Sequence, residues 1–300
     1  MKKGLRLWWA VSIIIVAAAF FWRLGSGQDT SSSPALGGSF TVQYLDVGQG
    51  DSELIQCDGH YMLIDGGTSK YSDKIYATLK AQDITALDYI VNTHPHEDHV
   101  GGLSGALQFA TVKTALSPVK SYDGEGFKDF VKYLKKQGVS ITVPSPGDTF
   151  TLGSARVTVL GPIEDSDDPN NLSIVLRVVY GDTSFLFVGD AQTSEENDIL
   201  ASGRTVKSDV LKVGHHGSET STGADFLAAV APKYAVIEVG DSNSYNHPNQ
   251  GTLDRLKAAG VTLFRTDLQG TITCTSDGKA LTFQTGKTAS SDVFTKKDDD

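Results

Sequence analysis

The sequence predicts an α/β fold in a single domain, with sheets sandwiched between helix layers. Three observations carry this. Short strand-like runs come first, and strands alternating with helices follow them. A composition of 39% hydrophobic and 21% charged residues over 300 positions is that of an ordinary globular chain, which excludes wholesale disorder. A cluster of histidines and carboxylates stands directly after an apolar strand, where an α/β sheet places its chemistry.

In chain order, strands are expected over 39–45, 52–57 and 61–64, with Asp58-Gly59 as a hairpin turn between the last two. A helix over 72–81 leads to an apolar strand at 86–92 that ends at the histidine cluster. Helices near 102–109 and 126–137 alternate with strands at 112–116 and 140–143. Further strands follow at 156–160, 173–180, 183–188, 210–213, 234–239 and 261–264, with helices near 194–201, 223–230 and 250–259. The chain closes with a hairpin, 271–275 and 280–283, turning at Asp277-Gly278. No internal repeat is visible, and the domain is expected over 39–286.

Outside that domain the composition changes. Residues 1–24 carry Lys2, Lys3 and Arg6, then an uncharged run from Leu7 to Trp22 closed by Arg23. Such a run meets a membrane, as an uncleaved anchor or a cleaved signal peptide, and its basic end stays on the cytoplasmic side. The body is then expected outside the cytoplasm, single-pass anchored or secreted. Residues 25–38 read as a flexible Gly/Ser/Thr/Pro linker, and 287–300 as a disordered tail.

The net charge of −10 hides an asymmetry. The four basic residues before Asp29 leave 22 basic against 36 acidic residues in the rest, a charge of −14. An acidic body lacks the basic footprint of non-specific duplex binding, so a nucleic-acid substrate would be gripped locally or through bound cations. Cys57 and Cys274 each fall in a strand and read as buried free thiols, with a disulfide between them as the alternative.

Thr93-His94-Pro95-His96-Glu97-Asp98-His99 places three imidazoles and two carboxylates in six residues. His94 and His96, one position apart at a strand end, project toward the same side, and Asp98 and His99 can wrap a second cation beside the first. Gly101-Gly102 allows a tight backbone turn into the next helix.

This motif resembles the His-x-His-x-Asp-His signature of the metallo-β-lactamase superfamily. Leu63-Ile64-Asp65-Gly66-Gly67 and Phe185-Leu186-Phe187-Val188-Gly189-Asp190 resemble two more of its motifs, in family order. Within it, three segments look like the soluble hydrolase domain of ComEC-type DNA-uptake proteins. These are Leu45-Asp46-Val47-Gly48-Gln49-Gly50-Asp51-Ser52, Leu211-Lys212-Val213-Gly214-His215-His216-Gly217-Ser218 and Tyr245-Asn246-His247-Pro248. The multi-spanning channel of those proteins is not among these residues, so the domain reads as stand-alone and no role in DNA import is carried over.

The resemblance implies a four-layer αββα sandwich and two divalent ions, Zn2+ or Mn2+. His94 and His96 would hold the first ion, Asp98 and His99 the second, and Asp190 both, while Asp65 and Asp51 would brace the ligands from behind. Where most members place a histidine before Asp190, this chain reads Asn170-Asn171, so Asn171 becomes the candidate ligand or water-holder; an amide oxygen there hardens the site toward manganese. His215 or His216 is expected to complete the second site, only one facing it if the backbone stays extended, with His247 as the alternative ligand. Asp98, His216 and His247 are the catalytic candidates, His247 or the second of the paired histidines giving a proton to the leaving oxygen.

Two cations sharing Asp190 would make hydroxide available near neutral pH. The expected function is hydrolysis of a phosphodiester such as DNA. The alternatives are a wall-associated phosphoester or β-lactam, and a non-catalytic metal-stabilised envelope binding module. Nothing in the sequence points to a protein partner.

Overall fold

The structure is a computed structural model that describes residues 39–241 and 243–296. The expected anchor at 1–24 and linker at 25–38 lie outside the described residues. Among those described, no helix is long and apolar enough to cross a membrane.

Six strands open the domain: β1 (Phe40–Tyr44), β2 (Glu53–Cys57), β3 (His60–Ile64), β4 (Ala86–Val91), β5 (Thr111–Leu116) and β6 (Ile141–Thr142). Seven follow: β7 (Thr149–Leu152), β8 (Ala155–Gly161), β9 (Val175–Tyr180), β10 (Thr183–Phe187), β11 (Val210–Lys212), β12 (Tyr234–Ile237) and β13 (Thr262–Arg265). The closing hairpin is β14 (Ile272–Ser276) and β15 (Leu281–Thr285). One sheet has the order β15-β14-β1-β2-β3-β4-β5-β6 and the other β13-β12-β11-β10-β9-β8-β7.

The strands alternate between two cores, as a period-2 side-chain pattern requires. In β10, Phe185 and Phe187 join Phe40, Tyr44 and Ile55 between the sheets, while Leu186 turns to the outer cluster with Ile199, Phe226 and Leu253. In β2, Ile55 faces inward and Leu54 outward, against Ile75, Leu103 and Phe127. The outer clusters are supplied by helices α1 (Ser72–Ala81), α2 (Glu97–Val100), α3 (Leu103–Phe109) and α4 (Glu125–Lys136) on the first sheet. Helices α5 (Thr193–Ala201), α6 (Ala224–Val230) and α7 (Gln250–Ala258) supply them on the second, and the short α8 (Thr266–Gln269) follows β13. Helix, sheet, sheet and helix therefore form four layers, as expected.

Cys57 and Cys274 are buried and free. Strand β7 was not foreseen; it pairs antiparallel with β8, Phe150 opposite Val157. The expected strand from 173 starts later, because Pro169–Leu172 forms a 3-10 turn capped by the Asp168 side chain on the Asn170 N–H at 3.0 Å. The segment after 286 was expected to fray, yet part of it is tied down. The fully buried Arg265 guanidinium donates to Val293 O at 3.1 Å and Thr295 O at 2.8 Å, besides pairing with Asp267 at 2.7 Å. A buried guanidinium needs acceptors, and the tail backbone supplies two.

The strands β3, β4 and β5 run parallel, as do β10, β11, β12 and β13 in the other sheet. The residues just beyond β3, β4, β10, β11 and β12 gather at one end of the sandwich, outside the carboxyl ends of parallel strands.

Candidate metal centre

The turn after β3 holds Asp65 at φ +51°, fixed by its N–H on Val91 O at 2.8 Å. Asp65 accepts from the Thr93 N–H at 2.8 Å and contacts His99 Nδ1 at 2.8 Å, so it holds the His99 ring from behind. The segment after β4 carries His94 and His99, both fully buried, and His96, half-buried. Asp190 follows β10 after the left-handed Gly189, its N–H held by Ser173 Oγ at 3.0 Å.

His94 Nε2, His99 Nε2 and His215 Nε2 stand 3.7, 3.3 and 3.6 Å from Asp190 Oδ2. His216 Nε2 is 3.7 Å from the other oxygen, Oδ1, and 3.4 Å from Asp98 Oδ2. Donors about 2.1 Å from one tetrahedral ion stand roughly 3.4 Å from each other. His94, His99 and Asp190 form one group able to hold a metal, and Asp98, His99 and His216 another. His99 Nε2, His216 Nε2 and Asp190 Oδ1 are buried without a hydrogen-bond partner, which fits donors reserved for cations. His96 Nδ1 lies 3.1 Å from His94 Nε2 and lines the same cavity of about 370 Å3.

Two expectations are corrected. Both paired histidines reach the site, because the backbone after β11 is not extended: His215 and His216 have φ +50° and +53°. Two consecutive non-glycine residues in the left-handed region carry backbone strain, which persists where the surroundings over-determine it. Here Glu196 helps, accepting from the Thr222 and Gly223 N–H groups at the far side of the loop. Asn171 does not present its oxygen to the cavity; that oxygen accepts from the Gln192 N–H at 3.1 Å. Asn170 lines the cavity instead, with its Oδ1 buried and unpartnered, because the 3-10 turn rotates the pair relative to a strand.

His247 also lines the cavity, its ring 5.4 Å from His215 and 6.4 Å from His216. Burial and the neighbouring His216 push it down to about 4, so it is neutral at pH 7 in the metal-free chain. Asp51, expected behind the ligands, has Oδ1 3.1 Å from His216 Nδ1. Sequence reasoning missed what lies behind Asp51, namely buried Lys212, Glu53 and Glu238. A lysine and two glutamates at strand positions that bury were the available signal.

The metal-free charge balance gives a testable pH dependence. Burial works against charge on His216, but Asp190 and Asp51 outweigh it and raise the group to about 10. His99 is likewise held well above its ordinary range by Asp190, Asp98 and Asp65 despite burial. Protonated His216 therefore stabilises the metal-free fold below about pH 6.5, and this contribution is lost as pH rises toward 10. Glu53, pushed up to about 8 by burial, acts in the same direction. The Tm of the metal-free chain is expected to fall between pH 6.5 and 10. Affinity for Mn2+ or Zn2+ should rise over that range as the displaced protons become easier to lose. A metal-free Tm that is flat or rising there contradicts the assignment.

Comparison with known proteins agrees with this geometry. Residues 45–240 match the model of the metallo-beta-lactamase superfamily. The chain is 32% identical over 260 residues to ComE operon protein 3 of Bacillus subtilis, covering 80% of this chain and 33% of that protein. It is 30% identical over 276 residues to competence protein ComA of Neisseria gonorrhoeae, covering 90% of this chain and 35% of that one. The chain thus spans about a third of the length of these relatives. Among solved structures, the diiron beta-hydroxylase CmlA from Streptomyces venezuelae shares the fold at a TM-score of 0.52 and 14% identity, over 75% of this chain and 52% of that one. Motif order, layered architecture and the histidine-carboxylate centre converge with the family match: the chain belongs to the metallo-β-lactamase superfamily.

Proposed function

We propose that this chain is an extracytoplasmic, dinuclear metal-dependent hydrolase that cleaves phosphodiesters, DNA among them. The observation that carries the reading is Asp190, whose Oδ2 faces His94 and His215 and whose Oδ1 faces His216, with His99 shared between the two candidate groups. One carboxylate is placed to serve two cations.

His94, His96 and Asp190 would hold the first, with Asn170 and His215 beside them; Asp98, His99, His216 and Asp190 would hold the second. When bound, a cation pair supplies Lewis acidity and a hydroxide nucleophile near neutral pH, so no nucleophilic side chain is required. The chain's own residues do the rest. Asp65 fixes the His99 ring and the Glu238 carbonyl the His216 ring, with Asp51 beside His216, and the cavity admits substrate past His96 and the exposed Tyr245. His247 lines the cavity, where its neutral ring can contact bound substrate. The segments that resemble the hydrolase domain of ComEC-type DNA-uptake proteins support a nucleic-acid substrate. The basic residues ahead of the uncharged N-terminal run support an extracytoplasmic body.

The test is to give the full-length chain, with Mn2+ or Zn2+, bis-p-nitrophenyl phosphate, single-stranded DNA and nitrocefin. Turnover of the first two is expected. Turnover of nitrocefin alone would make it a β-lactam hydrolase, and tight metal binding with no turnover would make it a binding module.

A further inference from the structure

Lys212 is the last residue of β11 and is wholly buried. It shares strand parity with Val210, which packs between the sheets, so a cation occupies a position where this fold puts apolar side chains. Removing an ammonium from water is costly unless it is paired. Its partner comes from the opposite sheet's β1–β2 connection: Nζ lies 2.7 Å from Asp51 Oδ2, and it also donates to Val213 O at 3.0 Å.

Asp51 in turn touches several parts of the metal centre. Its Oδ1 is 3.1 Å from His216 Nδ1, whose hydrogen bond goes to the Glu238 carbonyl oxygen at 2.9 Å, so Asp51 faces that imidazole as a charge; its Oδ2 is 3.9 Å from His99 Nδ1. Its N–H donates to Asp98 O at 3.2 Å, and its carbonyl accepts from the Gly67 N–H at 2.8 Å. Neither carboxylate oxygen has a well-aligned hydrogen-bond donor, and Asp51 also groups with Asp190 and His216 closely enough to take a cation itself. Two roles thus compete for one carboxylate: bracing imidazoles, or entering coordination.

We propose that Lys212 is a positioning residue that decides this competition, its ammonium holding Asp51 as a brace behind His216 and out of the coordination sphere. The second cation is then left to Asp98, His99, His216 and Asp190. The inference rests on the two-cation reading and adds to it a residue that touches neither cation nor substrate.

The experiment titrates the full-length, metal-free chain with Mn2+ by calorimetry, and records the absorption spectrum with Co2+ as a second probe. Wild type is expected to take two ions. Lys212→Met, similar in length and uncharged, should weaken the second ion by about 10–100-fold, as loss of an outer partner does, and leave the first within about threefold. The Co2+ spectrum of the second site should change with it. Asp51→Asn should give a loss of similar size. Lys212→Met/Asp51→Asn should lose no more than either alone, because the two act as one unit. The double variant buries no unpaired Asp51 charge, so it supplies the answer if Lys212→Met does not fold. A folded Lys212→Met, or failing that the double variant, that binds the second ion as wild type does overturns the proposal. Fewer than two ions on wild type would sink the two-cation reading and this inference with it, whereas failure confined to the variants sinks only the inference.

Discussion

Asp190→Ala is expected to lower kcat/KM on bis-p-nitrophenyl phosphate by on the order of a thousandfold and to cost the chain at least one of its two cations. Removing a partner that merely orients a metal ligand costs about 10–100-fold. Asp190 is closer than that to the chemistry, because its Oδ2 stands 3.7 Å from His94 Nε2 and its Oδ1 3.7 Å from His216 Nε2, imidazoles assigned to different cations. The deletion also alters the metal-free protein. Asp190 is the leading charge that holds His99 protonated against burial, so His99 in the variant should titrate lower and the Tm decline above pH 6.5 should become shallower. Measuring metal content and Tm beside turnover separates a lost ligand from a lost fold. A variant that retains two cations and activity within tenfold of wild type would remove Asp190 from the centre.

What the sequence makes legible here follows from locality. The His94–His99 cluster is contiguous, so its chemistry is visible without a fold, and the alternation of β10 is visible because one strand sits between two cores. Strand β7 is short and borders the sheet, and only its pairing with β8 distinguishes Thr149–Leu152 from a loop. Which asparagine faces the cavity depends on a 3-10 turn set by the Asp168 cap, one residue of rotation that no local pattern encodes. The paired histidines were misjudged for a related reason. A strand end predicts extended backbone, yet the turn beyond β11 is left-handed twice over, anchored by the His215 N–H on Gly189 O and the Gly214 N–H on Thr222 Oγ1 from other segments. Lys212 and Asp51 are far apart in sequence and meet only when the two sheets stack, so their pairing could not be read from either segment.

Gly102→Ala is expected to destabilise the protein by about 3 kcal/mol, lowering Tm by roughly 5–10 °C for a domain of this size. The sequence suggested that Gly101-Gly102 serves a tight turn, but both have ordinary helical dihedrals, with φ −57° and −75°. The need for glycine at 102 is steric. A Cβ there would lie 1.9 Å from the Gly66 carbonyl oxygen, which is backbone and cannot swing aside. The contact is part of a backbone clamp: Gly66 N–H donates to His99 O at 2.8 Å, and Gly102 N–H donates to Gly67 O at 2.8 Å. That clamp joins the turn bearing Asp65 to the segment bearing His99, the pair whose 2.8 Å contact aims the imidazole. Relief of the clash must therefore separate a ligand from its brace, so metal affinity should fall together with Tm. Gly251→Ala is the control, since its Cβ meets nothing within 4 Å on helix α7, and the substitution should be neutral or slightly stabilising. If Gly102→Ala matched the control in both Tm and metal affinity, the close approach of the two turns would not be what holds the centre together.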